Sequence, residues 1–193
     1  MTLKGIIIRL KRIIRYPYYK LMFGNYCFND SVESTSHITT RCVYLQKKVY
    51  IGYNARIQGI RRYNMTEFNP SIVFKSGASV QQNGHITCAQ YIEIGENTAI
   101  GANVTITDIH HPYDDVQTPI ERQDIEVNPV YVGDDCKIYN NVVILPGTRI
   151  GKHCTIGANS VVTGIIPDFS VAVGAPARVV KRFDFEQNIW KTV

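Results

Sequence analysis

A branched apolar residue returns every six positions through the second half of this chain, at Val132, Ile138, Ile144, Ile150, Ile156 and Val162. Ile94, Ile100 and Ile106 keep the same step earlier. Six is neither the helix period of 3.6 nor the plain alternation of one long strand. In TRIGKHCTIGAN, residues 148–159, a small side chain stands two positions before each isoleucine. Side chains two apart share a strand face, so Cys154 points with Ile156, Cys136 with Ile138, Thr98 with Ile100 and Ser160 with Val162. One small and one branched residue fill a tight interior corner. Three positions after each branched residue come Asn97, Asn103, Asp135, Asn141, Gly147, His153 and Asn159. These types tolerate positive φ best. Each hexapeptide therefore reads as a short strand and a sharp turn, and stacking the unit gives a coiling chain around one continuous core.

The segment VGDDCKIYNNVVILPGTRIGKHCTIGANSVVTGIIPDFSVAVGAPARVV resembles the closing coils of the hexapeptide-repeat acyltransferases. The similarity is greatest to the sugar O-acetyltransferases of that family and covers about residues 45–181. It implies an all-β fold, a left-handed parallel β-helix of triangular section. It also implies a homotrimer with active sites between neighbouring subunits. The repeat breaks between Ile106 and Val132, where TDIHHPYDDVQTPIERQDIEVNP is polar and holds three prolines. A long insertion in a regular coil is more often functional than idle. Before residue 90 the repeat is ragged, and VYIGYNARI and VFKSGASVQQNGHI read as early coils. The division expected is a basic helix over 1–20, a β-helix domain over 21–181 with an inserted catalytic loop at about 108–129, and a C-terminal tail over 182–193.

Composition narrows the function. With 45% hydrophobic and 19% charged residues the chain has a globular composition, and no apolar run of about 20 residues could span a bilayer. The five cysteines include no C-x-x-C, so neither a disulfide framework nor a thiolate zinc site is expected, and a cytoplasmic setting fits. Of the 21 basic residues, Lys4, Arg9, Lys11, Arg12, Arg15 and Lys20 lie in the first 20 positions; the remaining 15 face 16 acidic ones. A chain basic only at one end is a poor nucleic-acid binder. Leu3, Ile7, Leu10 and Ile14 fall at helical spacing among those cations. That helix could lie on an anionic membrane surface as a peripheral contact, or cap the end of the core.

His110 and His111 open the inserted loop, in DIHHPYDD. This segment is similar to the family's segment in which a histidine before proline is the catalytic base. His111 precedes Pro112 and follows Ile94 by 17 positions, as in the family. A sugar hydroxyl needs its proton removed as it attacks a thioester, and imidazole, with an ordinary pKa of about 6.5, suits that task. Asp108 and Glu126 are the acidic candidates to orient the ring, and the sequence does not choose between them. The resemblance further assigns an oxyanion donor to the backbone of Ile138–Asn141. It places Asn140, Ala158 and Thr163 along acetyl-CoA, and Arg178 and Lys181, from GAPARVVK, at its phosphates. For the acceptor it points to Gln81, with Asn83 nearby, and to His110; the family has Asn where Gln81 stands. Gly164 replaces a common Lys, and Lys137 and Tyr139 replace a common Trp and Gly.

His153 reads as a turn residue, Cys136 and Cys154 as core, and His37 and His85 as structural. The favoured activity is acetyl-CoA-dependent O-acetylation of a sugar, in surface-polysaccharide synthesis, on a small or lipid-linked acceptor. N-acetylation of an amino sugar or nucleotide sugar uses the same chemistry and is the alternative. A zinc hydrase similar to the gamma carbonic anhydrases, which hold zinc with three histidines, two of them five residues apart, is discounted because the set at 37, 85, 110, 111 and 153 has no such pair; no metal is expected. A non-catalytic scaffold is the remaining class.

Overall fold

The computed structural model describes Ile14, Pro17, Ser31–Val32 and residues 36–193. Apart from Ile14 and Pro17, the helix expected over 1–20 lies outside the described residues. The rest is a parallel β-helix. Its first face is a nine-stranded sheet, in which Tyr50–Ile51, Ser79–Val80, Ala99–Ile100, Lys137–Ile138, Thr155–Ile156 and Ser170–Gly174 stack in order. The second face has six strands, including Arg56–Gly59, His85–Cys88, Thr105–Thr107, Val143–Ile144 and Val161–Val162. The third, also six-stranded, runs from Val43–Leu45 through Ser71–Phe74, Tyr91–Ile94, Val130–Val132 and Arg149–Ile150 to Ile165–Ile166. The two ragged segments are coils, as expected.

Register follows from the repeat. Ile100 pairs with Ile138 and Ile138 with Ile156 on the first face; Ile106, Ile144 and Val162 align on the second. All are fully buried, at about 1.5–3 kcal/mol per side chain. The small partners point inward with them: Cys136, Cys154, Thr98 and Ser160 are buried. Thr98 donates to the Gly133 carbonyl at 2.7 Å and Ser160 to that of Gly157 at 2.7 Å. The cysteine thiols donate to the Gly151 and Pro167 carbonyls at 3.1 and 3.0 Å, so both serve the core.

Each of the seven turn residues read from the repeat has positive φ, from 52° at Asn97 to 74° at Gly147. The glycine that follows the inward branched residue has a separate cause. Gly95, Gly133 and Gly151 stack coil on coil, and a Cβ on Gly133 would lie 2.7 Å from the Gly151 backbone. No side chain fits there.

Departures from the step of six gather at one place. From the second face to the third, the inward residues run from 57 to 74, from 86 to 94 and from 106 to 132. Every added stretch in the coil therefore leaves through the same corner. The C-terminal segment 182–193 differs from the tail expected. Ala177–Asp184 pairs antiparallel with Ser170–Gly174, and Ile189–Thr192 pairs back on it, with Phe183 against Trp190 at 5.5 Å. Apolar residues at Phe183, Ile189 and Trp190 give this stretch something to pack, so it folds as a closing hairpin.

Candidate active site

The corner between the second and third faces carries the inserted loop with His110 and His111. Residue 108 ends the Thr105–Thr107 strand, and the two-stranded ribbon of Ile109–His110 against Glu126–Val127 follows. His110 stands directly across from Glu126. His111 comes next, with an exposed ring. The loop beyond is tied internally: Gln123 Nε2 donates to the Asp115 and Thr118 carbonyls, each at 2.9 Å. Buried Ile125 pins its return.

Asp108 has a role different from the one expected. Its carboxylate accepts the N–H groups of Ala89, Gln90 and Tyr91 at 2.8, 2.7 and 2.8 Å, and the Cys88 thiol at 3.3 Å. It is fully buried. The corner at 88–91 carries extra residues whose N–H groups have no ladder partner, and the aspartate from the coil above supplies one. Neither oxygen bonds to His111 among the described residues. Burial, and then the Asp108 charge, push the Cys88 thiol far above its usual range, so it stays a neutral donor and is no nucleophile.

The sequence reading missed a second insertion at this corner. Arg62–Tyr63 and Thr66–Glu67 form an antiparallel hairpin, whose turn holds Asn64 at φ 49°. It docks on the longer loop. The Tyr63 hydroxyl donates to the Glu121 carboxylate at 2.9 Å, Asn64 Nδ2 to the Gln123 carbonyl at 3.2 Å, and Thr66 Oγ1 to Asp124 at 2.9 Å. The Tyr63 ring meets His111 edge to face, with centroids 5.4 Å apart. Partial burial, and then Glu121, raise the Tyr63 pKa, so its phenol stays a proton donor. The signal available in sequence was the broken step after Ile57, with Asn64 offering a tight turn.

The other candidates lie elsewhere on the prism. Gln81, Asn83, Asn140 and Ala158 occupy turns between the first and second faces. Asn83 donates to Asn103 at 2.9 Å, and the Asn140 side-chain oxygen accepts the Ala102 N–H at 3.0 Å. Thr163 shares the corner of His111, in a later coil. Arg178 and Lys181 are exposed on the strand Ala177–Asp184. One chain thus holds His110, His111, Glu126 and Thr163 on one corner and the acceptor and acetyl-CoA candidates of the turns on another. His153 sits in a turn at φ 53° against Phe169, and His37 and His85 flank Arg56 on the second sheet. Among the described residues no group of three His, Cys, Asp or Glu could hold a metal, and no helix is long and apolar enough to cross a membrane.

The fold is a β-helix of stacked hexapeptide repeats, and comparison with known proteins gives its class. Residues 129–164 match the family described as bacterial transferase hexapeptide (six repeats), and 91–108 match the hexapeptide repeat of succinyl-transferase. The chain is 29% identical to the putative lipopolysaccharide biosynthesis O-acetyl transferase WbbJ of Escherichia coli (strain K12), over 99% of its own length and 89% of the relative's. It is 31% identical to the galactoside O-acetyltransferase of the same organism, over 73% of this chain and 61% of that one. The structure of a maltose O-acetyltransferase from Clostridium difficile 630 superposes with TM-score 0.56 at 30% identity, covering 88% of this chain and 75% of that one. The chain belongs to the hexapeptide-repeat acyltransferases and is an acyltransferase by class.

Proposed function

We propose that the protein transfers an acetyl group from acetyl-CoA to a sugar hydroxyl, with His111 as general base, in the synthesis of a surface polysaccharide. The observation that carries this reading is the exposed His111 on a loop tied down at both ends, in a chain of this family. The near full-length likeness to a putative lipopolysaccharide O-acetyl transferase supports the acceptor class. His111 takes the hydroxyl proton as the oxygen attacks the thioester carbonyl. The coenzyme A sulfur then leaves and takes up a proton, for which the imidazolium is the natural source.

The coil Ile138–Asn141 offers the oxyanion donor. Its Tyr139 and Asn141 N–H groups bond to Ile156 and Ala102, whereas the Asn140 N–H has no partner among the described residues. An unspent N–H in a rigid turn suits a developing negative charge. Ala158 and Thr163 would flank the pantetheine arm, and Arg178 and Lys181 would meet the phosphates. Gln81, Asn83 and His110 would contact the acceptor, and Glu126 is the acidic partner left for the histidine pair. Because these groups fall on two corners, a complete site needs a second copy, which supports a homotrimer with sites between neighbours. Six cations in the first 20 positions would hold the enzyme near lipid-linked acceptors at the inner membrane face.

The test is release of free thiol from acetyl-CoA by the purified protein with a panel of methyl glycosides and amino sugars. Turnover with hydroxyl sugars that His111→Ala abolishes is the result expected. Turnover confined to amino sugars would move the activity to N-acetylation, and undiminished turnover in the variant would remove the histidine base.

A further inference from the structure

We infer that Tyr63, on the hairpin Arg62–Glu67, is a positioning residue for His111, and that the two insertions work as one unit. The inference rests on His111 as the base. A general base must aim one ring nitrogen at the hydroxyl, and a misplacement of about 1 Å costs on the order of 10²-fold in rate. The His111 ring has no hydrogen-bond partner among the described residues to fix that aim. Asp108, three residues before it, is committed to the 88–91 corner, and Glu126 stands across from His110. What touches the ring is Tyr63, at 5.4 Å between centroids and 77° between planes. An edge-to-face neighbour limits rotation about the bond from Cβ to the ring, which is otherwise a broad torsion.

Tyr63 is itself held. Its hydroxyl is bound to Glu121, with the carboxylate at 2.9 Å and the carbonyl at 3.0 Å. Asn64 and Thr66 fasten the same hairpin to Gln123 and Asp124. All three anchors fall in one short run of the loop that begins with His111. The hairpin therefore fixes where that run sits, and the Tyr63 ring fixes how the imidazole stands. Residues 61–68 form no part of the β-helix core, and Arg61, Arg62, Asn64, Met65 and Glu67 are exposed. A segment with so little to pack is accounted for by what it holds.

The test uses the full chain with acetyl-CoA and the glycoside panel, with slow hydrolysis of acetyl-CoA as a reading that needs no acceptor. Tyr63→Ala should lower kcat by about 10–100-fold while the acetyl-CoA KM and the melting temperature hold. Tyr63→Phe keeps the ring and should stay within about threefold of the wild type. In a His111→Ala background, Tyr63→Ala should cost nothing further, because effects of residues acting as a unit are not additive. An equal loss in both backgrounds, or a Tyr63→Phe as impaired as the alanine variant, would overturn the positioning role. If Tyr63→Ala melts, Tyr63→Leu, apolar and of similar reach but without the aromatic ring, must show the same loss of kcat. An active His111→Ala would overturn the base itself, and is distinguished by that single variant alone.

Discussion

Two corners of the same prism follow opposite rules. Between the first and second faces every described coil turns through an asparagine at positive φ: Asn54, Asn83, Asn103, Asn141 and Asn159. Four of their side chains form a column, Asn83 donating to Asn103, Asn103 to Asn141 and Asn141 to Asn159, at 2.9, 3.0 and 3.0 Å. No residue is inserted there. Between the second and third faces no such column exists among the described residues, and the chain leaves the coil at 60–70, 88–91 and 108–129. A corner whose side chains bond to the coils above and below would lose those bonds wherever a loop intervened. A corner without them can be extended freely. Regularity on one side carries the fold, and the unconstrained side is where a catalytic loop can be built.

The largest effect should come from the free corner and leave the fold untouched. His111→Ala should lower acetyl transfer by about 10²–10⁴-fold, with an unchanged melting curve, because an exposed loop ring packs no core. His110→Ala should cost less. Asp108→Asn, three residues before His111, should do the reverse. The amide turns a donor toward backbone N–H groups, and the lost charge-assisted bonds cost about 2–4 kcal/mol, lowering Tm by roughly 5–15 °C. The fraction that remains folded should keep most of its kcat. Should Asp108→Asn abolish turnover in a fully folded protein, the aspartate would be catalytic machinery and the division between structural and chemical residues at this corner would fail.

That division also explains what could be read from the chain alone. The coils, their inward pairs and the φ > 0 turns were legible because one unit repeats, so each position is determined many times over. The place of His111 after Ile94 and before Pro112 singles it out as a candidate, and the fold puts it on an exposed loop. Asp108 was misjudged because acidity in sequence says nothing of direction; only the fold shows three N–H groups from another coil converging on it. Tyr63 was missed because its partner Glu121 is 58 residues away, and no period links two insertions. The hairpin closing at 182–193 lies beyond the last hexapeptide, where alternation is too short to announce a strand.

A smaller effect should appear at the phosphate end. Arg178→Ala and Lys181→Ala each remove an exposed cation from the closing strand. If these meet coenzyme A, each should raise the acetyl-CoA KM by about five- to tenfold, the equivalent of roughly 1 kcal/mol, with kcat at saturation nearly unchanged, since the contact serves ground and transition states alike. Initial rates across acetyl-CoA concentrations decide it. A fall in kcat at constant KM would move both residues away from the phosphates. Melting should be insensitive, because neither side chain is buried.

The smallest effect tests the ordered corner directly, at Asn141. This residue combines φ of 60° with two column bonds, from Asn103 and to Asn159. Asn141→Gly relaxes the backbone demand but deletes both bonds, and should cost about 0.5 kcal/mol, since exposed amide bonds are worth little net. Asn141→Ala deletes the same bonds but keeps a Cβ without asparagine's tolerance of the left-handed region, for a further loss of about 1 kcal/mol relative to the glycine variant. Thermal melts of the two variants against the wild type separate the terms. A glycine variant as stable as the wild type would mean that φ alone keeps this corner regular and the column is incidental. A glycine variant as damaged as the alanine one would assign the corner to the column, and with it the reason that insertions leave the coil only on the opposite side.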